Sequence, residues 1–343
     1  MKIALDATYS LGPNLSGVGV YSRRILYGLP PAHPEAHYLF AYRPHRFFRS
    51  FSQPLPRNAG RRLLSNAWPL SADLFHGLNQ RVDSTRYRRT VSTFHDLFVL
   101  TGDYSTPDFR ARFARQAREA AERSDLIIAV SRFTAGQVED LLKVDRGRIR
   151  VVHHGVASPP NAGATVKREQ MILFVGALQR RKNVVRLVEA FEQVAPGWKL
   201  SLAGASGFAA EEVLRSIETS TRKSDIQLLG YVPDQALEDL YQRASIFAFP
   251  SLDEGFGMPV LDAMARGVPV LSSTVSAMPE ICGDAALLVD PRDTAAIAAG
   301  LQKLTGDTTL RAGLAHRGRE RSKGFGWEKV VEETWKIYQE LLR

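Results

Sequence analysis

Short apolar runs, punctuated by glycine and proline, alternate along the chain with longer amphipathic segments. Lys2-Ile3-Ala4-Leu5-Asp6 reads as a strand, followed by a loop ending Ser16-Gly17-Val18-Gly19 and a helix from Val20 to Leu29. Ile172-Leu173-Phe174-Val175-Gly176 opens a second series, with a loop Ala177 to Asn183 and a helix Val184 to Val194. The first series predicts further strands at Tyr38–Ala41, Thr90–Phe94, Leu126–Val130 and Ile149–Val152. The second predicts them at Leu200–Ala203, Ile226–Leu229, Ile246–Phe249, Val268–Leu271 and Ala286–Val289. Apolar runs without polar alternation mark strands buried on both faces, as in parallel sheets. Alternating strands and helices therefore predict an α/β fold with two parallel sheets. Residues 157–164, rich in proline, glycine and alanine, read as the linker between the two series. Trp327 to Leu342 reads as a final helix with Val330, Val331, Trp335, Tyr338 and Leu341/Leu342 on one face.

The most informative stretch follows the run Ile246–Phe249. It reads Pro250-Ser251-Leu252-Asp253-Glu254-Gly255-Phe256-Gly257-Met258-Pro259-Val260-Leu261-Asp262 and ends at Gly267. Pro259 suits a helix start and Gly267 a helix end. Glu254 then lies in a turn at the C-terminal end of a strand, where open α/β sheets bind ligands, and Asp262 in the first helical turn. Gly255 and Gly257 admit close approach of backbone to ligand, and helix-start amides favour an anion. Acids for hydroxyls beside amides for phosphate suit a nucleotide-sugar. A competing reading makes Asp262 an ordinary acid at a helix start.

Arg180-Arg181-Lys182 follows the strand that opens the second series, with no acid beside it in sequence, and suits a diphosphate by charge and bidentate geometry. Gly17-Val18-Gly19 has Ser22 where a dinucleotide fingerprint needs its third glycine, which argues against a nicotinamide enzyme. His95-Asp96 ends the strand Thr90–Phe94, where a histidine can position or deprotonate a hydroxyl. His76 and His153-His154 are weaker candidates. No ligand spacing suggests a metal, and no Asp-x-Asp pair is present to hold one on a diphosphate.

Composition narrows the setting. At 343 residues with 44% hydrophobic content, the chain supports two domains. One cysteine, Cys282, excludes an internal disulfide framework. The N-terminus lacks a signal-peptide run, and no segment approaches the roughly 18 apolar residues of a membrane span. A cytoplasmic protein is the expectation. Residues 1–160 hold 23 Lys and Arg against 13 Asp and Glu, while the rest hold 22 against 23. A basic first half can meet an anionic membrane surface, an anionic substrate or nucleic acid. Two segments combine cations with aromatics: Arg46-Phe47-Phe48-Arg49, and Phe109 to Arg118 with Arg110, Arg112, Arg115 and Arg118.

Taken together, these motifs resemble the group 1 glycosyltransferases, family 4 of the retaining enzymes with the GT-B fold. The resemblance spans the chain. It rests on Gly17, Gly19 and Tyr21; His95-Asp96; Ala129-Val130-Ser131-Arg132-Phe133; Val175-Gly176 with Arg181-Lys182-Asn183; Gly230-Tyr231-Val232; Glu254 to Asp262; and Met278-Pro279-Glu280. Within the family, the closest likeness is to bacterial mannosyltransferases of surface-polysaccharide assembly. The resemblance implies two Rossmann-like domains with parallel sheets facing across a cleft. Residues 1–157 would hold the acceptor and 158–325 the nucleotide-sugar, with 326–343 crossing back to the first domain.

It implies that Arg181 and Lys182 neutralise the departing diphosphate without a metal or other cofactor. Glu254 would bind the donor sugar with the Gly255–Met258 backbone, and His95 would contact that sugar near the reacting centre. Asp262 would bind ribose, with Gly17, Gly19, Gly176, Phe256, Pro259 and Val260 lining the donor site. Asp96 and Ser131 would lie on the acceptor side. GDP-mannose is the expected donor, a UDP-sugar the alternative, and a glycan or lipid-linked glycan the acceptor. There are departures: Asp262 stands where glutamate is usual, Ala177 and Arg180 where arginine and proline are frequent, and His154-Gly155-Val156-Ala157 where Asn-Gly-Val-Asp is common. Two rivals are a nucleotide-sugar sensor without turnover and a nucleic-acid binder, for which no motif accompanies the charge.

Overall fold

A computed structural model of the chain describes residues 1–12, 14–65, 70–83, 85, 87–157, 159 and 167–343. They form two compact units. One comprises Met1–Thr101, Thr106–Gly155 and Gly326–Arg343, the other Gly102–Ser105 and Val156–Phe325. Of the segment read as a linker, all but Ala157 and Pro159 lies outside the described residues.

Among the described residues, the first unit holds β1 (Lys2–Asp6), β2 (His37–Tyr42), β3 (Ala59–Leu63), β4 (Leu74–Gly77), β5 (Thr90–Phe94), β6 (Leu126–Ala129) and β7 (Ile149–Val151). They pair in the order β3-β2-β1-β4-β5-β6-β7, with every described pairing parallel. The second unit holds β8 (Glu169–Val175), β9 (Lys199–Ala203), β10 (Ile226–Gly230), β11 (Ala244–Phe249), β12 (Val270–Ser273) and β13 (Ala286–Val289). Their order is β10-β9-β8-β11-β12-β13, again parallel. The apolar runs of the central strands are buried as expected, with Ile3, Leu5, Ile172, Phe174, Ile246 and Phe249 fully enclosed, whereas edge strand β10 leaves Leu228 and Leu229 exposed and edge strand β13 is half-buried.

Two strands escaped the hydrophobic pattern. β3, Ala-Gly-Arg-Arg-Leu, sits at the sheet edge and is half-exposed, so nothing selects apolar residues there. β4 is four residues long and carries a buried histidine. Helix ends also moved. The first helix spans Gly17–Ala32, because the Ser16 side chain caps it by accepting from the Gly19 amide at 3.4 Å. The final helix spans Trp327–Leu342 and buries Val330, Val331, Trp335 and Tyr338. It packs on the Gly17–Ala32 helix so closely that a Cβ on Gly28 would lie 2.6 Å from Val331.

In the second sheet the order reverses between β8 and β11: β9 and β10 lie to one side, β12 and β13 to the other. Loops leaving two such strands diverge, and the space outside their carboxyl ends is where this architecture binds ligands.

Candidate active site

The loop after β8 and the loop after β11 meet at that reversal. The β8 loop closes as a 3-10 turn, Arg180–Lys182, followed by Asn183 in the left-handed conformation at φ 60° and the helix Val184–Phe191. Asn183 Nδ2 donates to the carbonyls of Pro250 at 3.0 Å and Pro291 at 2.6 Å. The Leu252 amide donates to the Arg181 carbonyl at 2.8 Å. These bonds pin the two loops together. The sequence flagged Asn183 as part of a motif but gave it no task; its tolerance of positive φ is the signal that was available.

Within this frame Arg181 Nη1 donates to Glu254 Oε1 at 2.8 Å and to the Asp253 carbonyl at 2.9 Å. Lys182 Nζ donates to the same Glu254 oxygen and lies 4.7 Å over the Phe249 ring. All three charged side chains are nearly buried. The two cations read as lacking an acid neighbour therefore share one, supplied 72 and 73 residues further along. Burial pushes the Glu254 carboxyl up, but the charges of Arg181 and Lys182 outweigh it and hold it below the ordinary range. Glu254 is an anion here, an acceptor of hydrogen bonds. Arg180, grouped with these cations in sequence, turns outward and pairs with Glu212.

Asp262 stands apart from its expected place. The helix begins at Met258 with Gly257 at its cap, so Asp262 opens the second turn and not the first. Its Oδ1 lies 3.2 Å from Arg266 Nη1, and Arg266 is itself held by Glu238 at 2.6 Å. Phe256 packs edge-on against Phe325, and Val260 is fully enclosed, so both can reach a ligand only through backbone. Pro259 occupies the first helical turn, and Gly257 has φ 98°. Gly176 follows β8 at φ 153°; a Cβ on neighbouring Gly204, at φ 159°, would lie 1.8 Å from the Gly176 oxygen.

The remaining candidates belong to the first unit. His95 follows β5 and is buried. Its Nε2 meets the Leu78 carbonyl at 2.9 Å, and its Nδ1 meets His154 Nε2 at 3.2 Å. Burial lowers His95 to about 4, partly offset by the Leu78 carbonyl, and lowers His154 well below the ordinary value. Asp96 is half-buried beside it. Ser131 caps the helix Arg132–Leu142, accepting from the Thr134 amide at 3.0 Å. Gly17 is exposed in the first helical turn. Gly19 is buried, and a Cβ there would lie 2.9 Å from the Tyr9 carbonyl, which accounts for that glycine by packing.

The chain matches the model of "Glycosyl transferases group 1" over residues 160–321 and that of "Glycosyltransferase Family 4" over 18–158. It is 32% identical to the O-antigen chain mannosyltransferase B of Escherichia coli, over 78% of this chain and 74% of that one. It is 29% identical to the D-inositol 3-phosphate glycosyltransferase of Salinispora arenicola, over 73% of this chain and 62% of that one. Among solved structures it resembles Anabaena HepE in complex with UDP and glucose, at 16% identity and a TM-score of 0.77, covering 99% and 100% of the two chains. Sucrose-phosphate synthase from Thermosynechococcus elongatus gives the same TM-score at 20% identity, covering 99% and 98%.

Proposed function

The chain belongs to the group 1, family 4 glycosyltransferases and has their GT-B fold, and from that premise we propose that it moves mannose from GDP-mannose to a glycan or lipid-linked acceptor with retention at the anomeric carbon. The observation that carries this reading is the convergence of Arg181 and Lys182 on Glu254 at the reversal of the second sheet. Bond breaking at the anomeric carbon puts growing negative charge on the diphosphate. Two preorganised cations in a nearly buried setting stabilise that charge far better than water does, which is the work a metal does elsewhere. The ionised Glu254 accepts hydrogen bonds from sugar hydroxyls while the diphosphate takes over the cations. Retention then follows from front-face attack, with the leaving phosphate receiving the acceptor's proton.

Mannose as the sugar is supported by the E. coli relatives, O-antigen chain mannosyltransferase B and the serotype-specific mannosyltransferase WbdA. The acceptor side carries a membrane reading. Among the described residues no helix is long and apolar enough to cross a membrane. The turn Pro44–Ser52 nevertheless leaves Phe48 84% and Phe51 62% exposed beside Arg46 and Arg49. Such a basic aromatic knob suits an anionic bilayer surface. The other segment read this way, now the helix Pro107–Arg123, puts Ala117, Ala120 and Ala121 into the core with Phe113 against them, and exposes one large aromatic, Phe109, less than Phe48 or Phe51 and beneath Arg112.

The test is transfer itself. Purified protein is incubated with labelled GDP-mannose, GDP-glucose, UDP-glucose or UDP-galactose and an undecaprenyl-linked oligosaccharide, and the product's anomeric configuration is read by NMR. An α-mannosyl product from GDP-mannose alone is expected. A product from UDP-sugars only would replace the donor, and an inverted product would replace the mechanism.

A further inference from the structure

The joint between the β8 and β11 loops is centred on one side chain, whose orientation follows from its partners. Backbone carbonyls only accept, so the group that Asn183 turns to Pro250 at 3.0 Å and to Pro291 at 2.6 Å is its amide nitrogen. A guanidinium only donates, so the group 3.0 Å from Arg186 Nη1 is the amide oxygen. Both amide hydrogens are thus engaged by carbonyls. The main chain of Asn183 is engaged as well. Its N–H donates to the Arg180 carbonyl at 3.0 Å, closing the turn that carries Arg181 and Lys182. Its carbonyl accepts from the Leu187 amide at 3.2 Å, opening the helix Val184–Phe191.

Pro250 follows β11, and Pro291 lies just beyond β13. In the sheet order β8-β11-β12-β13, one buried side chain therefore reaches from the loop of β8 to the loop of its neighbour and to that of the strand at the far edge. Arg181 and Lys182 come immediately before it in sequence, and Glu254 lies four residues after Pro250. The left-handed backbone alone does not account for an asparagine here. At φ 60° and ψ 32° glycine fits without strain, so what asparagine adds over glycine is the amide. Aspartate also accepts this conformation, but its carboxylate has no hydrogen to donate and would face the two carbonyls oxygen to oxygen.

We propose that Asn183 is a positioning residue: its amide holds Arg181 and Lys182 in register with Glu254, and so sets the geometry of the charged site through the two loops and not by meeting the substrate. A shift of either loop would part the cations from the oxygen they share, because each sits on a loop that the amide of Asn183 ties to the other. That the site stabilises a departing diphosphate rests on the transfer reading above. That Asn183 sets its geometry does not.

Two variants separate the amide from the backbone. Asn183→Gly and Asn183→Asp both keep a residue that accepts positive φ, and neither keeps the donors. The first arm is hydrogen exchange read by mass spectrometry. The Leu252 amide, which donates to the Arg181 carbonyl at 2.8 Å, reports the joint. Exchange across residues 250–254 should quicken about tenfold in Asn183→Gly, the scale of the hydrogen bonds removed, while β12 keeps its protection. Unchanged exchange there, or equal quickening in β12, overturns the proposal even for an inactive protein. The second arm is transfer measured well below each variant's melting temperature, where a residue needed only for stability leaves kcat unaltered. Asn183→Gly is expected to lower kcat about a hundredfold, the scale of an ångström of misplacement, with donor KM raised much less. Asn183→Asp should fall at least as far, and if it does not fold the glycine variant decides. Asn183→Gly at the unaltered rate shows that the site asks only for positive φ and overturns the proposal. Failure of Asn183→Gly to fold overturns it too, since Asn183 then serves the whole domain. Absence of transfer in the unaltered protein would instead remove the function reading and leave the exchange arm intact.

Discussion

Arg181 Nη1 and Glu254 Oε1 lie 2.8 Å apart across 73 residues of sequence, and Lys182 reaches the same oxygen. Each loop alone is a charged turn. Together they bring two cations onto one carboxylate oxygen in a nearly dry site. Removing one partner of such a buried cluster is costly, because the remaining charges lose compensation they cannot recover from water.

Lys182→Ala should lower turnover at saturating donor by about two to three orders of magnitude, as expected for losing one preorganised group that stabilises leaving-group charge. Initial rates with excess EDTA check the metal side of the same claim. Activity should survive the chelator; complete loss restored by Mg²⁺ would shift the charge-stabilising role away from Lys182 and Arg181.

Stability should fall as the medium becomes mildly acidic. Burial depresses His95 to about 4 and His76 to about 3 from an ordinary 6.5. The unfolded chain therefore takes up protons first as pH drops below 6.5, and the loss accumulates until the folded values are reached. Urea midpoints should decline from pH 7 to pH 5, and His95→Asn should flatten that decline. Glu254 is depressed below 4.5, so its stabilising contribution is present above 4.5 and is lost at lower pH, overlapping only the acid end of the histidine window and not the span from pH 7 to pH 5. A midpoint unchanged down to pH 5 would contradict the buried neutral histidines.

Gly204→Ala should destabilise by about 3 kcal/mol, the upper range for overpacking, since its Cβ would meet the Gly176 backbone and neither atom can step aside. Gly136→Ala is the control. It lies inside the helix Arg132–Leu142 with nothing within 4 Å of the added carbon, and should stabilise by about 1 kcal/mol. Melting temperatures moving in the same direction for both would refute the packing assignment.

Sedimentation with vesicles addresses the exposed aromatics. Phosphatidylglycerol vesicles should pellet the protein, phosphatidylcholine vesicles should not, and salt should weaken the effect. Phe48→Ser with Phe51→Ser, or Arg46→Glu with Arg49→Glu, should reduce binding, whereas Arg112→Glu with Arg115→Glu should matter less. Equal pelleting with both lipids, or none, would rule out electrostatic docking.

Much of this was legible in the sequence because burial on both faces forces unbroken apolar runs. Eleven strands announced themselves by apolar runs, the exposed edge strand β10 and half-buried β13 among them without that constraint, whereas edge strand β3 and short β4 carried no such run. Glycine and proline also marked the Met258–Ala265 helix to within a residue at its start, yet a shift that small moved Asp262 into the second turn and beside Arg266. Pairings that depend on the tertiary fold were not legible. Nothing local distinguishes Arg180, which turns outward to Glu212, from Arg181, which turns inward to Glu254. Likewise His95 and His154 are 59 residues apart, and their bond exists only because β5 and β7, with β6 between them, run parallel and end on the same side of one sheet.

The most direct test of the site is calorimetric titration of GDP and GDP-mannose into the unaltered protein and Glu254→Gln. Glutamine keeps the shape but removes the anion that competes with the diphosphate for Arg181 and Lys182. GDP should bind Glu254→Gln as tightly as the unaltered protein or more so, while the extra affinity conferred by the mannosyl group disappears and transfer falls steeply. Weaker binding of GDP itself to Glu254→Gln, with the mannosyl increment intact, would contradict the assignment of Glu254 to the sugar and of its two cations to the leaving group.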